Sequence, residues 1–341
     1  MASEVQVAVA TIINENPKAT NDEVAAKVRE MIPGASTTAA SVSSIKSRLK
    51  KLGEPTVDDD GNIQLPQPAA AQPLPTFGRY AEHDPEESLE DAKARIAKRY
   101  LSMERMAQRV VDGHIPSLII SGPPGLGKSF TVMQAVEQLD EEQYDVISGA
   151  ITAVGLYIAL WNMREGGIIV LDDCDDVFRD ETALNLLKAV LDSTPVRRVS
   201  WRKRAPWLDE LGIDDSFDFK GSVVFLTNVD FEKAVESGNR SGKHFEALMD
   251  RSMYLCLTLR ARRDFMIRIR QVSEGETGML CKDPQLELTE EQAEEVLDFV
   301  SEHQTRFYGL SLRLVRQVAQ CMLADPDDWK DDVEATKMRT V

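Results

Sequence analysis

The residues best suited to chemistry lie in one short segment, GPPGLGKS. An apolar run, SLII, precedes this segment and a helix-like stretch follows it, so the pattern GxxxxGK[ST] has the strand and helix that it requires. Glycines let consecutive backbone N–H groups turn toward phosphate oxygens, and the helix N-terminus adds a positive dipole. We therefore expect a phosphate-binding loop formed by Gly122, Pro123, Pro124, Gly125, Leu126, Gly127, Lys128, Ser129 and Phe130.

Two further strand ends supply polar groups. Four apolar residues, IIVL, lead into Asp172 and Asp173, and the run SVVFLT leads into Asn228. Within the expected loop, Lys128 would reach the β- and γ-phosphates and Ser129 would bind Mg²⁺. Asp172 would hold the same metal, Asp173 would orient or deprotonate the attacking water, and Asn228 would contact the γ-phosphate or that water. The pattern predicts ATP and Mg²⁺ as cofactors, while Asp175 and Asp176 are also consistent with an ordinary acidic loop.

These groups can meet only if their strands lie in one parallel sheet. Strands buried on both faces read as continuous apolar runs, and ligand-binding residues collect at their carboxyl ends. The sequence therefore predicts an α/β fold with a parallel sheet sandwiched by helices. Two amphipathic stretches, TEEQAEEVLDFV and LRLVRQVAQCML, predict a helical lid after it.

The amino-acid composition and net charge limit the cellular location and the binding partners that we expect. The chain has 341 residues, 43% of them hydrophobic, and a formal net charge of −17. No apolar stretch approaches the roughly 20 residues of a membrane-spanning helix, so we expect a cytoplasmic protein. The four cysteines are scattered without metal-ligand spacing, which indicates free thiols. Because the net charge repels polyanions, contact with nucleic acid would need local basic patches.

The chain divides into five segments. Residues 1–52 read as three short helices resembling a helix-turn-helix, with seven Lys/Arg against five Asp/Glu. This segment fits DNA binding through Lys46, Arg48 and Lys50, although a three-helix module of this size also suits protein docking. Residues 53–84 are expected to form a flexible linker, 85–258 the α/β core, 259–325 the lid and 326–341 a solvated acidic tail.

The order of these motifs resembles the AAA+ ATPases over roughly residues 85–325. The resemblance implies that GPPGLGKS is the Walker A loop, IIVLDD the Walker B strand and Asn228 the sensor-1 residue. It also implies that Arg251, in ALMDRSMYLCL, is an arginine finger inserted into a neighbouring subunit's site. Arg313, in GLSLRLVRQ, would be the sensor-2 phosphate contact. Arg240, Arg260 and Arg316 lie close enough in sequence to be alternatives for these two roles.

Three segments of the sequence differ from typical AAA+ ATPases, and these differences limit the functions that we expect. Asp173 stands where the family usually has glutamate, which suggests slow hydrolysis. The segment ISGAITAV lacks the aromatic pore-loop residue of protein-threading members, which argues against an unfoldase. A basic segment before the third strand contains Arg197, Arg198, Trp201, Arg202, Lys203 and Arg204. It could form a DNA-contacting hairpin between VRRVSW and SFDFKG, or a subunit interface.

The sequence therefore predicts an ATP-hydrolysing AAA+ protein of phage or mobile-element type. Its expected role is an oligomeric DNA-associated motor or switch in replication, helicase loading or transposition. The ATP sites would lie between subunits of a hexameric ring or a helical filament. The alternatives are a protein remodeller or assembly chaperone that docks a protein client, such as a helicase, through its N-terminal module, and a slowly hydrolysing, ATP-gated binding module. No membrane partner is expected.

Overall fold

The protein is described by a computed structural model. The described residues are 4–16, 18–32, 35–52, 56–57, 63–64, 80–82, 84–192, 197–202, 205–238, 240–257 and 259–340, together with 74, 76 and 194. The chain forms two compact units, Met1–Pro73 and Leu74–Val341.

The first unit contains the three predicted helices. They are α1 (Glu4–Glu15), α2 (Asn21–Met31) and α3 (Ala39–Leu52), followed by a two-stranded antiparallel ribbon of β1 (Thr56–Val57) and β2 (Ile63–Gln64). Valines and isoleucines at helical spacing form a small shared core: Val9, Ile12, Val24, Val28 and Val42. A capping pair begins α2, where the Thr20 side chain accepts from Glu23 N–H and Glu23 accepts from Thr20 N–H.

The second unit contains the remaining elements. Its strands are β3 (Ser117–Ser121), β4 (Tyr144–Ser148), β5 (Ile168–Asp172), β6 (Arg197–Ser200), β7 (Ser216–Phe219), β8 (Ser222–Thr227) and β9 (Met253–Cys256). Its α-helices are α4 (Leu89–Val111), α5 (Lys128–Val136), α6 (Ala153–Asn162), α7 (Glu181–Val190), α8 (Pro206–Leu211), α9 (Phe231–Glu236), α10 (Arg240–Arg251), α11 (Arg262–Ser273), α12 (Met279–Lys282), α13 (Glu290–Glu302), α14 (Leu312–Ala324) and α15 (Trp329–Lys337).

Five of these strands form one parallel sheet in the order β4-β5-β8-β3-β9. Side chains alternate between its two faces. Leu118 and Ile120 of β3 enter the core under α4, α5 and the lid, whereas Ile119 enters the core under α6, α7 and α10. Since both faces are covered by helices, the strands have the continuous apolar runs seen in the sequence. The predicted fold class is confirmed.

An insertion lies between α7 and β8. Strand β6 pairs antiparallel with β7, from Arg197 opposite Phe219 to Ser200 opposite Ser216, and α8 lies between them in sequence. The predicted pairing of VRRVSW with SFDFKG is therefore confirmed. The insertion is held by an aromatic cluster in which Tyr157 of α6 contacts Trp201, Trp207 and Phe217.

The lid contains α11 to α14, and the expected solvated tail is wrong for most of its length. Helix α15 covers the lid core with Trp329 and Val333, and Met338 after it is also buried. These apolar side chains recur on one face of an otherwise acidic helix. The acidic side chains of α15 lie on its opposite, exposed face, and the sequence-based prediction took only these into account.

The expected linker also proves too long at its C-terminal end. Residues from Leu74 onward belong to the second unit. Tyr80 packs edge-on against Phe265 at 4.9 Å between ring centroids, and Ala81 N–H donates to the Arg260 carbonyl. These contacts attach Tyr80 and Ala81 to the second unit.

Two expected bulk properties can be compared with the described residues. None of the four cysteines, Cys174, Cys256, Cys281 and Cys321, forms a disulfide within the described residues. No helix in the described ranges combines the length and apolar character needed to cross a bilayer.

Candidate functional site

The glycine-rich loop connects β3 to α5 at the carboxyl edge of the sheet. Gly125 and Gly127 have φ angles of 72° and 97°, which side-chain-bearing residues rarely adopt. Gly122 is required for a different reason, because a Cβ there would lie 2.8 Å from the Cβ of Leu257. These backbone conformations are compatible with the phosphate-binding loop that the sequence predicts at the start of α5.

Lys128 is the first residue of α5, and its ammonium group is turned into the loop. Nζ donates to the carbonyls of Gly122 at 2.8 Å and Pro123 at 2.9 Å, and to Asn228 Oδ1 at 2.9 Å. The side chain is only 6% exposed. Burial lowers the pKa of Lys128 to about 8, while the nearby carboxylates of Asp173 and Asp172 act in the opposite direction.

Asp172 ends β5 and Asp173 follows it, while Asn228 follows the neighbouring strand β8. Because the two strands are adjacent and parallel, their ends meet. Asn228 Nδ2 donates to Asp173 Oδ1 at 2.6 Å, so the amide connects Lys128 to Asp173. The structure thus brings together three residues that are up to 100 positions apart in the sequence.

Asp173 has a strained backbone. Its φ of 54° places a non-glycine residue in the left-handed region, where a cost of the order of 1–3 kcal/mol is usual and functional sites are enriched. Burial raises the pKa of Asp173, and the adjacent Asp172 raises it further. A carboxylate with a raised pKa is better suited to accepting a proton from water than an ordinary aspartate.

Asp175 belongs to this site, although the sequence left it open as a loop residue. The Thr227 hydroxyl at the end of β8 donates to Asp175 Oδ1 at 2.5 Å, and burial raises the pKa of Asp175. Asp176 differs, since it pairs with Arg179 at the surface. The sequence alone does not show that Asp175 is buried and Asp176 exposed, because the burial of Asp175 depends on the neighbouring strand β8.

The lid places Arg313 beside the loop. Arg313 lines a cleft with Pro123, Pro124 and Gly125, and the Gly125 carbonyl accepts from Leu312 N–H at 2.8 Å. The alternative Arg316 instead bonds Asp283 at 2.6 Å and Gln285. The geometry therefore favours Arg313 over Arg316 as the lid's phosphate contact.

Arg251 lies away from this site. It ends α10 just before β9, at the amino edge of the sheet, whereas the loop is at the carboxyl edge. Its Nη1 donates to the Ala247 carbonyl, and its Nε lies 3.6 Å from Asp192 Oδ2. Arg251 therefore does not contact the phosphate-binding loop of its own chain.

The predicted nucleic-acid residues separate into exposed and buried groups. Arg197 is buried, donates to the Val190 and Gly221 carbonyls, and lies over the Phe219 ring, so its proposed phosphate contact is wrong. Trp201 is 9% exposed and packs against Tyr157 and Trp207, so its ring is not open to stacking by a base. Both occupy inward positions of a strand or its end, which a count of basic residues does not reveal.

Arg198 and Arg202 do face outward, but each has an acidic neighbour. Arg198 pairs with Asp218 at 2.9 Å, and Arg202 lies 3.5 Å from Asp215. Lys203 and Arg204 lie outside the described residues, as do the side chains of Arg48 and Lys50. In the N-terminal unit, Lys46 donates to the Ala19 carbonyl at 3.0 Å.

Sequence reasoning missed Arg268 of α11. Its guanidinium lies 3.5 Å from the centroid of the Tyr100 ring, and a Cβ on Gly127 would come within 3.8 Å of its Nη2. Burial lowers the pKa of Arg268, and its Nε has no hydrogen-bond partner among the described residues. Helical periodicity alone would place Arg268 on a polar face, so no pattern in the sequence indicates it.

The donor set suits Mg²⁺ bound together with a nucleotide. Ser129 follows Lys128 at the start of α5, and Asp172 ends β5, so one hydroxyl and one carboxylate are available at this edge. Magnesium usually takes one or two carboxylates and completes its shell with phosphate oxygens and water. No cluster of three or more acidic, His or Cys side chains able to hold a metal occurs in the described part of the chain. Phe130 is 67% exposed, so its backbone is the part that can contribute.

Comparison with known proteins identifies a relative. No family model matches the chain. A protein of Enterobacteria phage T4, described as an uncharacterized 36.7 kDa protein in the nrdC-mobD intergenic region, is 36% identical over 248 residues, which cover 72% of this chain and 75% of the phage protein. The chain belongs to the family of this phage T4 protein.

The solved structures with a similar fold share less sequence identity with this chain. NtrX from Brucella abortus in complex with ADP has a TM-score of 0.41 and 15% identity, covering 94% of this chain and 67% of NtrX. Domain III of the replication initiation protein DnaA from Thermotoga maritima has a TM-score of 0.39 and 15% identity, covering 76% of this chain and 94% of that domain. These scores are low, so the description of the core rests on this chain's own strand order and loop.

That description agrees with the resemblance found in the sequence. The five-stranded parallel sheet, the loop after β3, the acidic end of β5, the amide after β8 and the helical lid match the arrangement that the resemblance to the AAA+ ATPases implies. This member of the phage T4 protein's family therefore has the core arrangement that the resemblance leads us to expect.

Proposed function

We propose that the protein binds ATP with Mg²⁺ at the loop between β3 and α5 and hydrolyses it. The observation that carries this proposal is the hydrogen-bonded series from Lys128 through Asn228 to Asp173 at the mouth of the loop. The ammonium group would contact the β- and γ-phosphates, and Mg²⁺ would neutralise charge on the same oxygens. Ser129 and Asp172 are the residues that would hold the metal.

Asp173 is the proposed base. It would orient or deprotonate water, whose oxygen bonds to the γ-phosphorus as the bond to the β–γ bridging oxygen breaks. The amide of Asn228 restrains one oxygen of Asp173, which leaves the second oxygen for that water. Arg313 from the lid would stabilise charge on the transferred phosphoryl group.

A second copy of the chain would complete the site. Arg251 is on the opposite edge of the sheet from its own loop, so it can act as a finger only in a neighbour's site. A head-to-tail contact of this kind generates a ring if it closes and a filament if it does not. We propose that ATP drives this assembly.

We further propose that the assembly works on DNA, as a motor or switch in replication, helicase loading or transposition. The three-helix N-terminal unit and the outward-facing Arg198 and Arg202 of the insertion support a DNA contact. One observation favours a protein client instead. The most distinctive members of the basic segment, Arg197 and Trp201, are buried within the insertion.

One experiment tests chemistry, assembly and partner together. ATP hydrolysis is measured with and without single- and double-stranded DNA, and sedimentation is measured with and without ATP. We expect DNA to stimulate hydrolysis and ATP to increase the sedimentation coefficient. If DNA does not change the rate of hydrolysis but a protein increases it, the alternative of a protein remodeller is favoured. ATP binding without turnover would favour an ATP-gated binding module.

A further inference from the structure

The C-terminal segment after α15 is anchored beside the loop. Met338 is buried and forms an antiparallel bridge with Phe307, and Arg339 N–H donates to the Arg306 carbonyl at 3.0 Å. Trp329 and Val333 of α15 secure the helix that leads into this segment. The position of Arg339 is therefore set by packing and backbone hydrogen bonds, although its side chain is exposed.

Arg339 lines the cleft that opens from the glycine-rich loop. The cleft has a volume of about 720 Å³, and loop residues 123–125 form one wall. The other walls are formed by the segment before α4, the lid and the C-terminal segment, through Tyr80, Arg262, Phe265, Tyr308, Arg313 and Arg339. A cleft of this size matches the usual range for small-molecule sites.

The charge of the cleft is unusual for this protein. Three arginines line it and no Asp or Glu does, whereas the whole chain carries −17. None of the three makes an ion pair within the described residues. Burial lowers the pKa of Arg262, and the nearby charge of Arg339 lowers it further. Like charges brought this close without a carboxylate indicate a site for an electron-rich ligand.

The cleft has two chemically distinct ends. Arg313 lies toward the carboxylates of β5, where the phosphates are expected. The charge of Arg313 acts on Asp173, whereas no such effect on that carboxylate comes from Arg262 or Arg339, which line the rest of the cleft. There Arg262 lies over the Tyr80 ring at 4.1 Å, and Phe265 meets the same ring edge-on. Flat aromatic and guanidinium surfaces suit a nucleobase, and guanidinium N–H groups suit ring nitrogens and ribose hydroxyls.

We propose that the C-terminal segment supplies Arg339 as a nucleotide-contacting residue, which together with Arg262 holds the base and ribose of the bound nucleotide. This inference rests on the ATP binding proposed above. The segment then acts as a fixed strap across the outer end of the cleft. ATP affinity therefore depends on the segment after α15 as well as on the glycine-rich loop.

The test compares ATP with inorganic tripolyphosphate, which has the phosphates but no base or ribose. Calorimetry of the full chain gives both affinities for the wild type, for Arg339→Ala and for the control Arg109→Ala, an exposed arginine of α4 outside the cleft. We expect Arg339→Ala to weaken ATP binding about tenfold, since it removes a charge-assisted contact, and to leave tripolyphosphate unchanged.

Three results would contradict this proposal in distinguishable ways. An unchanged ATP affinity in Arg339→Ala would overturn the role of the segment while leaving ATP binding intact. Equal losses for ATP and tripolyphosphate would show that Arg339 contacts phosphate and would overturn the assignment to base and ribose. Absence of ATP binding by the wild type would overturn the proposed function itself, and this inference with it.

Discussion

At the residue scale, the site depends on a lysine that is both buried and surrounded by oxygen atoms. Burial holds the pKa of Lys128 near 8, well below its usual range, although the ammonium form is the one that binds phosphate. A bound triphosphate would raise that pKa again, because it adds negative charge next to the ammonium group. Nucleotide binding is therefore linked to protonation of Lys128.

This linkage predicts proton uptake. Near pH 8 a substantial fraction of Lys128 is neutral before binding and charged afterwards, so each ATP bound takes up part of a proton, and affinity falls as pH rises through about 8. Calorimetry in two buffers of different ionisation enthalpy measures the uptake. Lys128→Ala is expected to abolish it along with most of the affinity. Wild-type binding without uptake between about pH 7 and pH 9 would contradict the pKa on which this prediction rests.

The second residue-scale prediction concerns Asp173. Replacing the carboxylate of the proposed base with an amide, in the variant Asp173→Asn, should lower single-turnover hydrolysis by about 100-fold while ATP affinity stays within about twofold. The matched control is Asp176→Asn, which alters a surface aspartate paired with Arg179 and should hydrolyse ATP normally. If wild type and Asp173→Asn hydrolyse ATP equally slowly, the protein is an ATP-gated binding module.

At the scale of elements, the position of Arg251 between α10 and β9 predicts a shared site. Arg251→Ala should reduce turnover by about 10³-fold without changing ATP affinity, because the finger stabilises charge only during phosphoryl transfer. Arg105→Ala is the control, since Arg105 is an exposed arginine of α4 that donates to the Leu101 carbonyl one turn earlier.

Mixing experiments distinguish a finger in trans from a structural arginine. Chains with Arg251→Ala retain the loop, and chains with Lys128→Ala retain the finger, so mixed assemblies contain some complete sites. Partial recovery of activity on mixing is expected. Activity no higher than the sum of the two separate variants would reassign the finger.

Helix α15 supplies the second element-scale prediction. Trp329→Ala removes a buried indole that packs on Phe299 at 4.8 Å and should lower the free energy of unfolding by about 3–5 kcal/mol. The control Asp331→Ala changes the exposed face of the same helix and should have an effect within about 0.5 kcal/mol. Chemical denaturation followed by circular dichroism measures both. Equal effects would mean that the tail is not part of the folded core.

At the scale of the whole molecule, the division into two units predicts separable activities. The second unit has its own sheet, lid and hydrophobic cores, so residues 74–341 should fold and bind ATP as tightly as the full chain. Affinity for DNA should fall by at least about tenfold if the three-helix unit supplies phosphate contacts. Calorimetry with ATP and fluorescence anisotropy with labelled DNA check the two halves. Undiminished DNA binding would shift the proposed contact to the insertion.

Predictions from the sequence were correct for features encoded by contiguous residues. They were less accurate for features that depend on which side chains the fold buries. The loop GPPGLGKS and the apolar strands are contiguous patterns, and the structure contains each as predicted. The mistakes concern burial. Arg197, Trp201 and the tail helix α15 were described by their charge or ring type, but each has a buried side that only its neighbours reveal.

The amino-acid sequence by itself determined the class of this protein, since a phosphate-binding loop, its flanking strand and helix, and the runs of apolar residues need no long-range information. The tertiary structure alone decided which distant groups share a site. Strand order placed Asn228 between Lys128 and Asp173, and lid packing brought Arg313 and Arg339 to one cleft. The physical reason is that contacts between distant segments depend on how helices and strands bury their apolar faces, which is a property of the whole fold.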